Sequence, residues 1–180
     1  MTPHRAVFFD RDGTLIQTAV VDGRPVAEND PSAIVFLEGA AQLCKTLIDH
    51  DILVFLITNQ PDVARGKVAY EHVHEVNSIV RQRCSLTDAA VCIHDDSDGC
   101  SCRKPKPGMI LDLAAKYQTD LKRSVVVGDR WRDVETGVNA GCETLLIDYE
   151  YDEPLSTPAT WRVKSLKEAA VVLLNHFGIH

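Results

Sequence analysis

The 180-residue sequence has no excess of basic residues: 19 Lys and Arg face 26 Asp and Glu, for a formal charge of −7 and a pI near 5.4. Such a chain lacks the positive field that recruits nucleic acid or anionic lipid, so neither is an expected partner. Long apolar runs are also missing. The longest, Ile52–Ile57, is of strand length, far short of the roughly 20 residues that cross a bilayer. The run Ala6–Phe9 is too short for the apolar core of an export signal. The expected location is therefore the cytoplasm, where thiols stay reduced. No repeat, flexible linker or low-complexity tract breaks the chain. With 45% hydrophobic and 25% charged residues, disordered and collagen-like classes are excluded. The length favours one domain over residues 1–180, with a monomer as the default. Six cysteines are too few for a disulfide scaffold, yet Cys92, Cys100 and Cys102 crowd into one stretch, which poses a choice between disulfide and metal.

Hydrophobic patterning predicts strands at Arg5–Phe9, Ile52–Ile57, Ala89–Ile93, Ser124–Val127, Thr144–Ile147 and Trp161–Val163. Between them it predicts helices at Glu38–His50, Tyr70–Cys84, Pro107–Tyr117, Val134–Ala140 and Ser165–Phe177. Residues Ile16–Val35, punctuated by Gly23, Pro25 and Pro31, read as a loop. Strands alternating with helices imply β-α-β units and an α/β, doubly wound, Rossmann-like parallel sheet with helices on both faces. Neither Ile16–Val35 nor Gly66–Cys92 is long enough for a separate cap domain. In such sheets ligands bind beyond the C-terminal strand ends. Asp10 and Asp12, Thr58 and Asn59, Arg103 and Lys104, and Asp129 all stand at such ends.

Each of these groups has a use in phosphate chemistry. Asp10 and Asp12, two residues apart just past a strand, can ligate Mg²⁺. One carboxylate can attack phosphorus, and the other can protonate a leaving oxygen. Gly13 lets the chain turn so that its amides face the phosphate. Thr58 offers a hydroxyl to a phosphoryl oxygen, Lys104 a fixed cation, and Asp129 with Asp133 a further metal ligand. Taken singly, each also fits a turn, a solvated basic loop or a helix cap. Cys92-Ile93-His94 and Cys100-Ser101-Cys102 together supply a complete tetrahedral zinc set. A Cys100–Cys102 disulfide is the alternative, which a reducing compartment disfavours. Zinc there would be structural and would anchor the residues that follow, Arg103 and Lys104. Arg103 and Arg130 offer bidentate recognition of anionic groups on a substrate, and Asn59 and Gln60 could bind sugar hydroxyls or stabilise their own turn.

With FFDRDGTL, ITNQ, RKPKP and GDRWRD in order between Phe8 and Asp133, the sequence resembles the haloacid dehalogenase superfamily of phosphohydrolases. The resemblance implies Asp10 as nucleophile and Asp12 as acid/base, with its main-chain carbonyl on Mg²⁺. It implies Thr58 and Lys104 as phosphoryl holders, Asp129 as a metal ligand, and Asp133 just behind it. A Cys-x-His…Cys-x-Cys loop directly before Arg-Lys-Pro is similar to the cap-less, zinc-loop branch that holds heptose 1,7-bisphosphate phosphatases and histidinol-phosphate phosphatases. TNQ-x-x-x-ARG and CRKPxPGM resemble the heptose members more, which makes a phosphorylated sugar the expected substrate. Four features depart from that pattern: the five-residue spacer Asp95–Gly99, shorter as in the histidinol phosphatases; Pro61-Asp62 after TNQ; Ile93 between Cys92 and His94; and the insert Thr18–Ser32, unlike the short segment expected for heptose recognition. A reading of another class, a zinc-stabilised binding module without activity, has the intact set Asp10, Asp12, Thr58, Lys104 and Asp129 against it.

Overall fold

The computed structural model describes residues 3–180. Six parallel strands, β1 (Arg5–Phe9), β4 (Ile52–Asn59), β5 (Asp88–Cys92), β6 (Val125–Gly128), β7 (Glu143–Ile147) and β8 (Trp161–Val163), form one sheet in the order β5-β4-β1-β6-β7-β8. Because successive strand residues point to opposite faces, each buried strand feeds two cores. Val7, Phe9, Val54, Leu56, Val125 and Val127 pack on one face against helices α1 (Ala40–Asp49), α2 (Tyr70–Arg83) and α5 (Leu166–Phe177). Ala6, Phe8, Phe55, Ile57 and Val126 pack on the other, against α3 (Gly108–Tyr117) and α4 (Trp131–Ala140). The continuous apolar runs of the sequence are therefore strands covered on both sides.

The chain winds outward from β1 through β4 to β5, then returns to the other side of β1 for β6, β7 and β8. The order reverses beside β1, which opens a crevice at the C-terminal ends of β1, β4 and β6.

Two expectations need correction. Residues Ile16–Val35 are not wholly loop: β2 (Ala19–Val21) and β3 (Arg24–Val26) pair as an antiparallel hairpin. Its strands are three residues long and largely exposed, so no hydrophobic alternation marks them. The sequence signal was Asp22-Gly23, whose φ angles of 50° and 73° suit a tight two-residue turn. Helix α4 begins a turn earlier than expected, at Trp131, so Asp133 lies in its first turn and its carboxylate accepts the Arg130 amide at 3.1 Å. The Cys100–Cys102 disulfide does not form; all six cysteines are free thiols. No helix among the described residues is long and apolar enough to cross a membrane.

Candidate active site

The crevice is a narrow cleft lined by Asp10, Asp12, Thr58, Lys104 and Asp133. Asp10 directly follows β1 and is held by a bond from its amide to the Val127 carbonyl, 2.9 Å. The Lys104 ammonium is buried between carboxylates, 2.7 Å from Asp10 Oδ1 and 2.6 Å from Asp133 Oδ1, and it also donates to the Ile57 carbonyl at 3.2 Å. Burial opposes its charge, but Asp10 and Asp133 hold it above the usual lysine range.

Asp129, at the end of β6, closes the third side. Its Oδ2 accepts the Tyr151 hydroxyl at 2.9 Å, while Oδ1 is buried without a protein partner. Burial first, then the charges of Asp10 and Asp133, push Asp129 well above the carboxylate range. Asp133, also raised by burial, lies at about 6. Ligand atoms of Asp10, Asp129 and Asp133 all lie within 4.8 Å of one another. Three buried carboxylates facing one ammonium gain much from a further cation, and the orphaned Asp129 oxygen is a ligand atom with nothing else to bind. The set fits a hard, oxygen-preferring ion. Two glycines permit this crowding. A Cβ on Gly13, at φ 76°, would collide with the Asp129 carboxylate, and one on Gly128 would collide with the Asp133 side chain.

Asp12 is fixed from three directions. Its Oδ2 accepts Arg11 Nε and Gln60 Nε2, both at 3.0 Å, and Oδ1 accepts the Glu28 amide at 3.0 Å. Burial is the largest influence on it and raises its pKa, against the opposing charge of Arg11. Arg11 is fully buried, an uncommon state for a charge. It also donates to Asn77 on α2 and to the Glu28 carbonyl and Asn29 side chain below the hairpin.

The remaining expected site residues divide. Thr58 lies at the cleft floor, buried, with its Oγ1 accepting Gln60 Nε2 at 3.0 Å. Gln60 is 1% exposed and gives its amide to Asp12 and Thr58, in line with the reading that it stabilises its own surroundings. Asn59 borders the cleft, but its side chain pairs with the Lys104 backbone in both directions, at 3.1 Å each. Arg130 borders the cleft too, yet its guanidinium is committed to Glu153. Arg103 does not face the cleft. Its Nε bonds Asp96 Oδ1 at 2.7 Å and its Nη1 bonds the His94 carbonyl at 3.1 Å. Arg132 and Tyr151 were missed. Arg132 borders the cleft from α4, and Tyr151 arrives from the loop after β7.

Beside Lys104, Cys92, His94, Cys100 and Cys102 converge. Cys92 Sγ is 3.7 Å from Cys100 Sγ and 3.6 Å from His94 Nδ1, and Cys102 Sγ is 3.4 Å from that nitrogen. Tetrahedral zinc with its usual bond lengths requires edges of roughly 3.8 Å between sulfurs and roughly 3.6 Å from sulfur to nitrogen. The donor set therefore fits that ion. The loop is braced by Arg65, whose Nε and Nη2 each bond an Asp95 oxygen at 2.7 Å. Lys106 caps the Cys100 carbonyl at 2.7 Å.

The HAD-hydrolase-like family model matches residues 101–169. A D-glycero-beta-D-manno-heptose-1,7-bisphosphate 7-phosphatase of Helicobacter pylori J99 is 30% identical over 175 residues, 93% of this chain and 96% of that protein. A D-glycero-alpha-D-manno-heptose-1,7-bisphosphate 7-phosphatase of Campylobacter jejuni is 30% identical over 178 residues, 96% of this chain and 95% of that protein. The crystal structure of the D,D-heptose 1,7-bisphosphate phosphatase of B. bronchiseptica, complexed with magnesium and phosphate, matches with a TM-score of 0.77 at 28% identity, covering 95% of this chain and 98% of that one. The chain thus belongs to the haloacid dehalogenase-like phosphatases, in the family of the heptose bisphosphate 7-phosphatases, and is a phosphoric monoester hydrolase.

Proposed function

We propose that the protein removes the 7-phosphate of a D-glycero-D-manno-heptose 1,7-bisphosphate through a phosphorylated Asp10. The observation that carries the chemistry is the buried arrangement of Asp10, Lys104, Asp133 and Asp129, with Asp12 fixed across the cleft mouth. The substrate follows from the relatives named above. Asp10 attacks phosphorus in line with the sugar oxygen while Lys104 offsets charge on the phosphoryl oxygens and Thr58 offers its hydroxyl. Asp12, whose burial favours the protonated acid, gives its proton to the departing sugar oxygen. It then takes one from the water that cleaves the acyl phosphate. Gln60, Arg11 and the Glu28 amide keep its carboxyl aimed through both steps.

Asp10 and Asp129, with the main-chain carbonyl of Asp12 as the resemblance implies, are the residues that would hold Mg²⁺; Asp133 stands behind them on Lys104 and the Arg130 amide. Bound there, the ion would neutralise charge between nucleophile and phosphate, as the crowded carboxylates require. Cys92, His94, Cys100 and Cys102 would hold structural Zn²⁺ with every position filled by protein. Free thiols as ligands suit a cytoplasmic enzyme. We treat residues 1–180 as one domain acting as a monomer on a small phosphorylated metabolite, with no nucleic acid or membrane as partner.

Parallel kinetics on the purified protein with Mg²⁺ test the substrate. The expected result is a higher kcat/KM on heptose 1,7-bisphosphate than on histidinol phosphate. Equal or higher kcat/KM on histidinol phosphate, which the short zinc loop would suit, overturns the sugar reading. No turnover of any tested phosphate returns the chain to an inactive binding module.

A further inference from the structure

The loop after β7 reaches back to the end of β6 at two successive residues. Asp129 accepts the Tyr151 hydroxyl on Oδ2 at 2.9 Å, and Arg130 gives its Nε to Glu153 at 3.0 Å. The loop is also stiffened from within. The Asp148 carboxylate accepts the Glu150 amide at 2.9 Å and Lys164 Nζ at 3.0 Å, and the Glu153 amide donates to the Tyr151 carbonyl at 2.7 Å. The Tyr149 ring lies 5.8 Å from that of Tyr151, and the Asp152 amide donates to the Gly23 carbonyl of the hairpin at 3.3 Å. Tyr151 therefore meets Asp129 as a fixed donor. The two oxygens of Asp129 stand in different surroundings. Oδ2 is closed off by the Tyr151 hydroxyl and by Gly13, where a Cβ would strike it. Oδ1 is buried and has no protein partner.

Resting on the placement of Mg²⁺ at Asp10 and Asp129 proposed above, we infer that Tyr151 is a positioning residue that confines Asp129 to one ligand oxygen and so favours Mg²⁺ over Ca²⁺. The basis is the difference between the two ions. Mg²⁺ is small, demands near-octahedral geometry and is bound through one or two carboxylates with waters. Ca²⁺ takes about six to eight oxygens and accepts a carboxylate through one oxygen or both. A carboxylate with one oxygen committed to a phenol offers a cation a single, directed donor. That meets the need of the smaller ion and withholds a contact from the larger. Removing the hydroxyl takes the hydrogen bond from Oδ2 and frees the carboxylate to turn both oxygens toward the ion. Partners of this kind orient metal ligands, and their loss typically costs roughly 10- to 100-fold in metal affinity or activity. Anchoring the loop does not by itself require the phenol, since Arg130 already holds Glu153 and Lys164 holds Asp148.

The test is titration calorimetry of the purified protein with MgCl₂ and, separately, CaCl₂, comparing wild type, Tyr151→Phe, Tyr149→Phe and Asp129→Asn. Wild type should bind Mg²⁺ more tightly than Ca²⁺. Tyr151→Phe should raise the Mg²⁺ Kd by ~10-fold while the Ca²⁺ Kd holds or falls, so the preference for Mg²⁺ shrinks by at least that factor. Tyr149→Phe, which removes a neighbouring hydroxyl of the same loop, should leave both values unchanged. A general loosening of the loop would weaken both ions alike. Equal rises in the two Kd values therefore make Tyr151 only a loop anchor and overturn the inference. So do unchanged values in Tyr151→Phe, the same shift in Tyr149→Phe, or a wild type with no preference for Mg²⁺. Asp129→Asn separates the inference from its premise, and it should lose more Mg²⁺ affinity than Tyr151→Phe. If it keeps wild-type affinity, Asp129 is not a ligand and both fall. If it loses Mg²⁺ while Tyr151→Phe keeps the wild-type preference, only the role of Tyr151 falls.

Discussion

Replacing Asp10 with Asn should abolish phosphate release while leaving the folded protein as stable as before, or more so. The chemistry requires a carboxylate oxygen at this position, and an amide is not a nucleophile at neutral pH. Removing a nucleophile that works as a unit with its acid/base partner costs on the order of 10⁴-fold or more in kcat. The stability half of the prediction comes from the neighbours. Lys104 keeps Asp133 at 2.6 Å when the Asp10 charge is gone, so no buried ammonium is stranded. Asp129 and Asp133, both raised by burial and by the charge of Asp10, lose a repelling neighbour. Activity with Mg²⁺ and a thermal melt without added metal check the two halves together. A variant that retains more than about a hundredth of wild-type kcat would remove Asp10 from the nucleophile position, and one that unfolds would show that its charge is structural.

Stripping the zinc loop should have the second largest effect. Elemental analysis should find one zinc per chain, and Cys102→Ser should lose it. Structural zinc can contribute ~10 kcal/mol or more of local folding energy. Here the loop also carries Lys104, two residues past Cys102, and through Asp96 it holds Arg103. Loss of even about 3 kcal/mol globally would lower Tm by roughly 6–12 °C in a chain of this size. Activity should fall with it, because a displaced Lys104 no longer faces Asp10, and Mg²⁺ added after chelation should not restore it. Chelated, zinc-free protein with unchanged Tm and full activity would contradict this account of the loop.

The sheet was readable because Ile52–Ile57 and Val125–Val127 are apolar on both faces, which only strands covered on two sides tolerate. Helical patterns between them left parallel pairing as the simple solution. Asp10, Thr58 and Asp129 stood out for a related reason: each follows an apolar strand run directly, where a polar residue has few structural uses. The hairpin was not, because three exposed residues per strand carry no hydrophobic period. Tyr151 was hidden in a proline-punctuated loop, and only tertiary folding brings its hydroxyl to Asp129. Gln60 and the arginines are a different case. Sequence marks which side chains can bind a sugar or an anion, but not which have already found a partner inside the protein. Gln60 is occupied by Asp12 and Thr58, Arg103 by Asp96 and Arg130 by Glu153.

The negative chain as a whole and its phosphate chemistry are compatible because the cations that matter are placed by ion pairs rather than supplied in number. Spontaneous phosphomonoester hydrolysis is slow enough that catalysts can supply up to ~10²¹-fold, and covalent capture by Asp10 is the step on which this account turns. Its most direct test is acid quenching during turnover of the bisphosphate with Mg²⁺, followed by peptide mapping for phosphate in an acid-stable, hydroxylamine-labile linkage. The account predicts phosphate on the peptide bearing Asp10, at Asp10, and none in Asp10→Asn. Phosphate on another residue, or turnover with no covalent phosphate trapped under conditions that capture an acyl phosphate, would contradict it.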